Sequence, residues 1–174
     1  MPPQTGRNTA IAPKGRTTAE VSKRNKAAVL QVLKAFNTGK PELATQLVDK
    51  VTDRKMISHT PKPGMPGNRE GLKEQITFFQ KQFSRLKFEA QEILAEGDVV
   101  YLRWKMTGTH RSPFLGRPAT GKRITHFGQE VVRFKGGKMI EHRDTFDQMA
   151  FLDKLGLLDA KMLTHLKRLG LRPR

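Results

Sequence analysis

The chain has 174 residues and a formal net charge of +17, from 33 Lys and Arg against 16 Asp and Glu. That length sets one domain with a substantial core, and the lack of any Cys excludes disulfides, thiolate metal sites and cysteine nucleophiles. No apolar run approaches the roughly 18 residues of a membrane span, and no secretory signal opens the sequence, which predicts a soluble, cytoplasmic protein. Residues 1–18 are rich in Pro, Gly, Thr and Asn, with no acidic residue and no apolar period, and are expected to form a disordered basic tail. Thr17 or Thr18 then caps a helix with Glu20 in its first turn. Val21, Ala28, Val29, Val32, Leu33 and Phe36 form its apolar stripe, and the helix ends near Asn37-Thr38-Gly39. Pro41 starts a second, short helix that is expected to bury Leu43, Leu47 and Val48.

A short extended piece, Met56-Ile57-Ser58-His59, precedes a Pro- and Gly-rich turn over residues 60–67. The spacing of Leu72, Ile76, Phe79 and Phe83 predicts a helix over residues 71–83. A strand over 86–94 follows, then the turn Ala95-Glu96-Gly97-Asp98 and a long strand over 99–109. After a loop with Pro113, Gly116, Pro118 and Gly121 come two more strands, separated by Gly136-Gly137, and a short helix from about Phe151. Residues 159–174 read as a basic helical tail, which leaves 19–158 as the folded domain. Helices first, then strands joined by hairpins, predict an α+β fold, and a sheet curved around by helices would enclose a pocket.

The segment after Gly136-Gly137 concentrates ionisable groups: Glu141, His142, Arg143, Asp144 and Asp147. On a strand, Glu141, Arg143, Thr145 and Asp147 share one face, and His142, Asp144, Phe146 and Gln148 share the other. Whichever face turns inward carries a carboxylate towards the interior with a basic residue two positions away. The competing reading is an edge strand blunted by charge.

Residues 124–158 closely resemble the C-terminal part of the SnoaL-like polyketide cyclase (ester cyclase) family, in which Gly-Lys leads into Glu-His-Trp, then Asp, then a Leu-Gly close. Ser58-His59-Thr60-Pro61, the helix start at Gly67-Asn68-Arg69-Glu70-Gly71, the turn Glu96-Gly97-Asp98 and the loop Gly108-Thr109-His110 to Gly121 are similar to further elements of that family. Each is weak alone; in order and at matching spacing they cover residues 28–158. The resemblance implies the ketosteroid-isomerase-like cone of the nuclear transport factor 2 class: a curved antiparallel sheet wrapped by N-terminal helices around a cavity. It also implies acid–base closure of a polyketide-like carbonyl substrate, with no cofactor and no metal, and often a homodimer.

On that resemblance Asp147 is the acid/base group, set in apolar surroundings by Phe146, Met149 and Phe151 and with its pKa raised by burial. Asp147 can equally cap the helix that follows it. His59 matches a cavity histidine, or is a structural hydrogen-bonder beside its Pro-rich turn. Glu130 matches an acidic position of the family; His126, on the same face, stands where an apolar residue is usual. Arg143, Arg103, Trp104, Phe79 and Phe146 complete the expected substrate-binding set, with His59 and Arg143 positioning a carbonyl or enolate. His142 lies opposite Asp147 in parity and is expected to be structural. Arg143 replaces the family's Trp, and a guanidinium near Asp147 would weaken it as a base. The segment is also similar to that of limonene epoxide hydrolases, but Lys105 stands where their partner aspartate is needed. A non-catalytic binding module on the same scaffold is the alternative.

The high charge predicts nonspecific attraction to polyanions. With one Trp and one Tyr and no recognition motif, no dedicated nucleic-acid function follows. Assembly depends on which face of the 99–109 strand the helices cover. Val100, Leu102, Trp104 and Met106 lie on one face and Tyr101, Arg103 and Lys105 on the other. If the apolar face is left bare, a sheet-to-sheet homodimer is needed to bury it, and this outcome is the one favoured.

Overall fold

The structure is a computed structural model and describes residues 17–169. Most of the expected N-terminal tail and the last residues of the C-terminal one lie outside the described residues. The elements are α1 (Thr18–Asn37), α2 (Pro41–Val51), β1 (Thr52–Ser58), α3 (Arg69–Gln82), β2 (Phe83–Glu96), β3 (Val99–His110), β4 (Arg123–Lys135), β5 (Lys138–Phe146), α4 (Gln148–Leu155) and α5 (Ala160–Arg168).

Local chemistry sets the helix ends. Thr17 and Glu20 form a reciprocal capping box at the start of α1, which satisfies two otherwise unpaired backbone donors. Asn68 accepts from the N–H groups of Glu70 and Gly71, so α3 starts at Arg69, two residues before the apolar stripe alone suggests. On α2 the inward positions are Ala44, Val48 and Val51. Leu43, expected to be buried, is 42% exposed, because the stripe that contains Val48 runs through Ala44 one position away.

Five strands form a single sheet in the order β1-β5-β4-β3-β2. The last four make an antiparallel meander. β1 instead joins the edge of β5 in parallel, with Ser58 opposite His142, so the sheet is mixed rather than wholly antiparallel. Extra residues in β2, near Arg85 and between Ala90 and Glu92, bend that long strand. Arg85 takes a φ of 50° to do so.

Along β3, Val100, Leu102, Trp104 and Met106 are buried, while Arg103 is exposed and Tyr101 and Lys105 are half-buried. α1 packs on β2 and β3, α2 on α1, and α3 on α2, β1 and β2, so helices cover the apolar face. That removes the reason for expecting a sheet-to-sheet homodimer. The outer face is lined by pairs such as Lys105–Glu89 and Arg103–Glu92, each at 3.1 Å. Polar side chains tie the layers where apolar contact cannot. Asn25 Nδ2 donates to the Gly97 carbonyl at 3.0 Å, and Gln80 Nε2 to the Ala35 carbonyl at the end of α1 at 2.8 Å.

Trp104 owes its place to a glycine on the neighbouring strand. Gly128 lies opposite it in register, and a Cβ on Gly128 would run into the six-membered ring of the indole. Gly128→Ala is therefore expected to force Trp104 into the interior and lower stability by about 1–3 kcal/mol, read from the midpoint of denaturant unfolding at unchanged slope.

Candidate functional site

The inner end of β5 carries the site. The β4–β5 register shifts between Arg133↔Glu141 and Phe134↔Met139, which leaves Ile140 as an extra residue. A residue inserted there reverses the alternation of side chains. Met139 and His142 consequently both face inward, followed by Asp144, and all three are buried. Arg143, Thr145 and Asp147 face outward and are exposed.

β1 supplies the partners. His59 N donates to the His142 carbonyl at 2.9 Å, and Ser58 N to the Gly67 carbonyl at 3.0 Å. These two bonds close the loop that follows β1 and fold it over the end of β5. Thr60 Oγ1 donates to Asp144 Oδ1 at 2.8 Å and accepts from the Asp144 backbone N–H at 2.8 Å. Lys62 Nζ reaches Asp144 Oδ2 at 2.6 Å and lies 4.4 Å from the centre of the Phe146 ring. Asp144 is 5% exposed, so a hydroxyl and an ammonium compensate a charge that could not be buried alone.

Beneath Asp144 lies a second polar pair. His142 Nε2 is 3.1 Å from Glu130 Oε2, and Nδ1 is 3.4 Å from Ser58 Oγ. Burial alone would push the His142 pKa down. The Glu130 carboxylate, by hydrogen bond and charge, and the charge of Asp144 outweigh it, and the pKa is raised. His126 behaves in the opposite way. It is 3% exposed, neither ring nitrogen finds a hydrogen-bond partner, and it packs against Phe146 and Phe151 with centroids at 5.5 and 5.3 Å. Burial first and Lys154 second lower its pKa to about 4, against a smaller upward pull from Asp147.

The interior holds three neighbouring hollows. A cavity of about 230 Å³ is walled by Phe78, Phe79, Phe114, Phe151 and Leu152, with Lys62 and Gln148 as polar members. A second hollow of about 280 Å³ is bordered by Thr60, Lys62, Asp144 and Gln148. A recess of about 30 Å³ reaches Trp104, His142 and Asp144. Phe146 borders all three. The arrangement is an apolar, aromatic chamber with one carboxylate and its donors at its end, a setting for moving a proton on a carbonyl compound. Among the described residues, no group of three or more His, Asp or Glu is placed to hold a metal ion.

The SnoaL-like polyketide cyclase family model matches residues 26–155. The chain belongs to this family. The aklanonic acid methyl ester cyclase DauD of Streptomyces sp. (strain C5) is 28% identical over 131 residues, 74% of this chain and 79% of DauD. DnrD of Streptomyces peucetius, also an aklanonic acid methyl ester cyclase, is 27% identical over 131 residues, 74% of this chain and 88% of DnrD. The structure of TsrD from Streptomyces laurentii superposes with a TM-score of 0.69 at 23% identity, over 78% of this chain and 97% of TsrD, which shows a common fold. No helix among the described residues is long and apolar enough to cross a membrane.

In this SnoaL-like chain the residues expected from sequence divide between inside and outside. Phe79, Trp104, Glu130, His126 and Phe146 are interior. Asp147 is exposed and accepts from Ala150 N at 2.9 Å as the N-cap of α4. The apolar surroundings expected for it are absent, because its parity points it outward and α4 begins at once behind it. It borders a shallow groove on the outer face together with Arg103, Phe127 and Thr145. Arg103 and Arg143 are likewise on the outer face, Arg103 held by Glu92 and stacked 5.7 Å from Phe127. His59 sits on the rim with Nε2 3.2 Å from Glu141 and lines none of the three hollows. Asp144, Thr60, Lys62, Ser58 and Gln148 were not singled out from the sequence as site residues. The shared parity of Asp144 and the aromatic Phe146 was the available signal.

The two histidines predict opposite pH responses. The folded pKa of His126 lies below its unfolded value, so the unfolded state binds more protons between about pH 6.5 and pH 4, and stability falls as pH drops through that window. At about 1.4 kcal/mol per pH unit, the gap from 6.5 to about 4 is worth roughly 3 kcal/mol. His142, with its pKa raised, adds stability that is fully present below about pH 6.5 and is lost as pH rises through its folded value. His126→Leu is expected to become more stable than wild type as pH falls from 6.5 to 4, and no such widening is expected above pH 7; denaturant unfolding across the pH series measures it.

Proposed function

We propose that this protein is a ring-closing enzyme that acts by acid–base chemistry on a polyketide-like ester bearing activated C–H groups, with Asp144 as the base. The observation that carries this reading is Asp144 itself: a buried carboxylate at the end of an aromatic chamber, with Thr60 and Lys62 on its oxygens. Asp144 borders the recess beneath the aromatic cavity and the hollow beside it, and a carboxylate at open interior space favours catalysis over passive binding. The aspartate is Asp144 rather than Asp147. The relatives DauD and DnrD, both named as aklanonic acid methyl ester cyclases, support the substrate class.

In the step proposed, an Asp144 oxygen takes a proton from a carbon flanked by carbonyls. The enolate charge develops on an oxygen beside the Lys62 ammonium and the Thr60 hydroxyl, which stabilise it because they are already oriented. The carbanion carbon adds to a ketone of the same molecule, one C–C bond forms, and the new alkoxide takes the proton back from Asp144. No atom enters or leaves. The aromatic walls hold the chain folded with its reacting carbons close, which replaces a costly encounter by an internal one. The Glu130–His142 pair, hydrogen-bonded at 3.1 Å, packs behind Asp144 and so opposes rotation of the carboxylate away from the chamber.

The test is a panel of polyketide methyl esters that includes aklanonic acid methyl ester, with cyclised product followed by chromatography. Asp144→Asn is expected to lower the rate by about 10²–10⁴-fold. Asp147→Asn is expected to keep full activity and stability, because Asn caps a helix as well as Asp does, whereas Asp147→Ala costs about 1 kcal/mol of stability without loss of turnover. Full activity of Asp144→Asn, or abolition of turnover by Asp147→Asn in a folded protein, overturns the assignment.

A further inference from the structure

His126 is an interior group beside the chamber that the proposed chemistry leaves unused. It sits on the inner face of β4 opposite Met106, 3% exposed, with Nδ1 and Nε2 both unpartnered. The groups that face it are the rings of Phe146 and Phe151 and the Asp147 backbone, which lies close enough to pull its pKa up without completing a hydrogen bond of good geometry. Electrostatically, the charges of Asp147 and Lys154 at the two ends of α4 also face it. Buried polar atoms in folded proteins are almost always hydrogen-bonded, and an apolar residue of similar shape would fit these surroundings with less cost. Stability therefore gives no reason for an imidazole here. The two rings it packs against, Phe146 and Phe151, both wall the 230 Å³ cavity.

Those two rings are not equally fixed. Phe151 is 7% exposed and packs against Phe79, Phe83, Phe146 and His126. Phe146 is half-buried and borders each interior hollow as well as the groove on the outer face. A side chain with free space on several sides can change rotamer without displacing its neighbours. Such a move joins the hollows and uncovers the imidazole. We propose that His126 is a substrate-recognition residue, which hydrogen-bonds a hydroxyl on an aromatic portion of the substrate when Phe146 swings aside.

The neutral imidazole, favoured by the lowered pKa, offers one N–H donor and one lone pair, and a phenolic hydroxyl can answer either. An apolar group of the same size leaves both unsatisfied, so the residue discriminates between two substrates of one shape. The inference deepens the reading of the same chamber and rests on it for the site, but not on proton transfer by Asp144.

The experiment compares 2-naphthol with its near-isostere 2-methylnaphthalene, binding measured by intrinsic Trp104 fluorescence and calorimetry. Wild type is expected to prefer the naphthol by about three- to tenfold, the range of one net hydrogen bond. His126→Leu is expected to abolish the preference while unfolding at equal or higher denaturant concentration. His126→Gln, which keeps a donor and an acceptor, is expected to retain it. Asp144→Asn leaves the preference untouched, so loss of turnover in that variant and loss of discrimination in His126→Leu report on separate claims. An unchanged preference in His126→Leu, an equal weakening of both ligands, or a wild type that binds neither overturns the proposal.

Discussion

Ile140 stands between two registers of the β4–β5 pairing, and the chemistry of the interior depends on that one unmatched residue. Without it, Met139 inward would mean Glu141, Arg143 and Thr145 inward, and the chamber would end in a guanidinium instead of a carboxylate. With it, the segment keeps Met139 in the core and still aims His142, Asp144 and Phe146 at the cavity. A bulge costs ladder regularity. The pairing of β1 on the far side of β5 offsets that loss, since Ser58 and His59 hold the backbone at His142. The same parallel pairing carries Thr60 and Lys62 to Asp144, so the device that steadies the bulge also completes the site.

Much of the fold was legible because local and long-range signals agree there. α1 announces itself by a capping box and an apolar stripe, β3 by strict alternation, and the hairpins by Gly97 and Gly136-Gly137. Legibility failed where one residue has two uses. Asp147 reads equally as an acid and as a cap, and α4 is too short, at eight residues, for its period to decide. Leu43 reads as core because α2 has two candidate stripes one position apart. The bulge at Ile140 has no residue signature at all, since a β-branched residue is at home anywhere in a strand. Thr60 and Lys62 escaped for a different reason: they meet Asp144 across 84 and 82 residues of chain, and a contact of that separation is a property of topology.

The charge of the chain is largely kept away from this interior. Lys87, Arg103, Lys105 and Arg133 lie on exposed or half-exposed pairs with Glu89, Glu92 and Asp98, which contribute little to stability in water. Lys62 is different in kind. Its side chain is 15% exposed, pressed between Asp144 and the face of Phe146, where water screens neither contact well. A cation held by a ring and a carboxylate at once is poised to shift towards a third, transient anion, since it keeps one partner while it loosens the other. Arg at this position would bind the carboxylate in a rigid fork and resist that shift.

The interior polar groups thus fall into two classes by what satisfies them. Glu130, His142, Ser58, Asp144, Thr60 and Lys62 satisfy one another, and the network fixes a carboxylate in place. Among the described residues, His126 has no well-formed hydrogen bond at either ring nitrogen, only the pull of the Asp147 backbone and charge. Evolution tolerates a strained or unpaired group where its loss would cost function, and such groups collect at sites for that reason. Phe146 touches both classes, with Lys62 over its face and His126 in an edge-to-face contact. Any ligand that displaces the ring loosens Lys62 from its aromatic contact at the moment it frees the imidazole. Recognition at one end of the chamber and release of the ammonium at the other are then coupled through a single side chain.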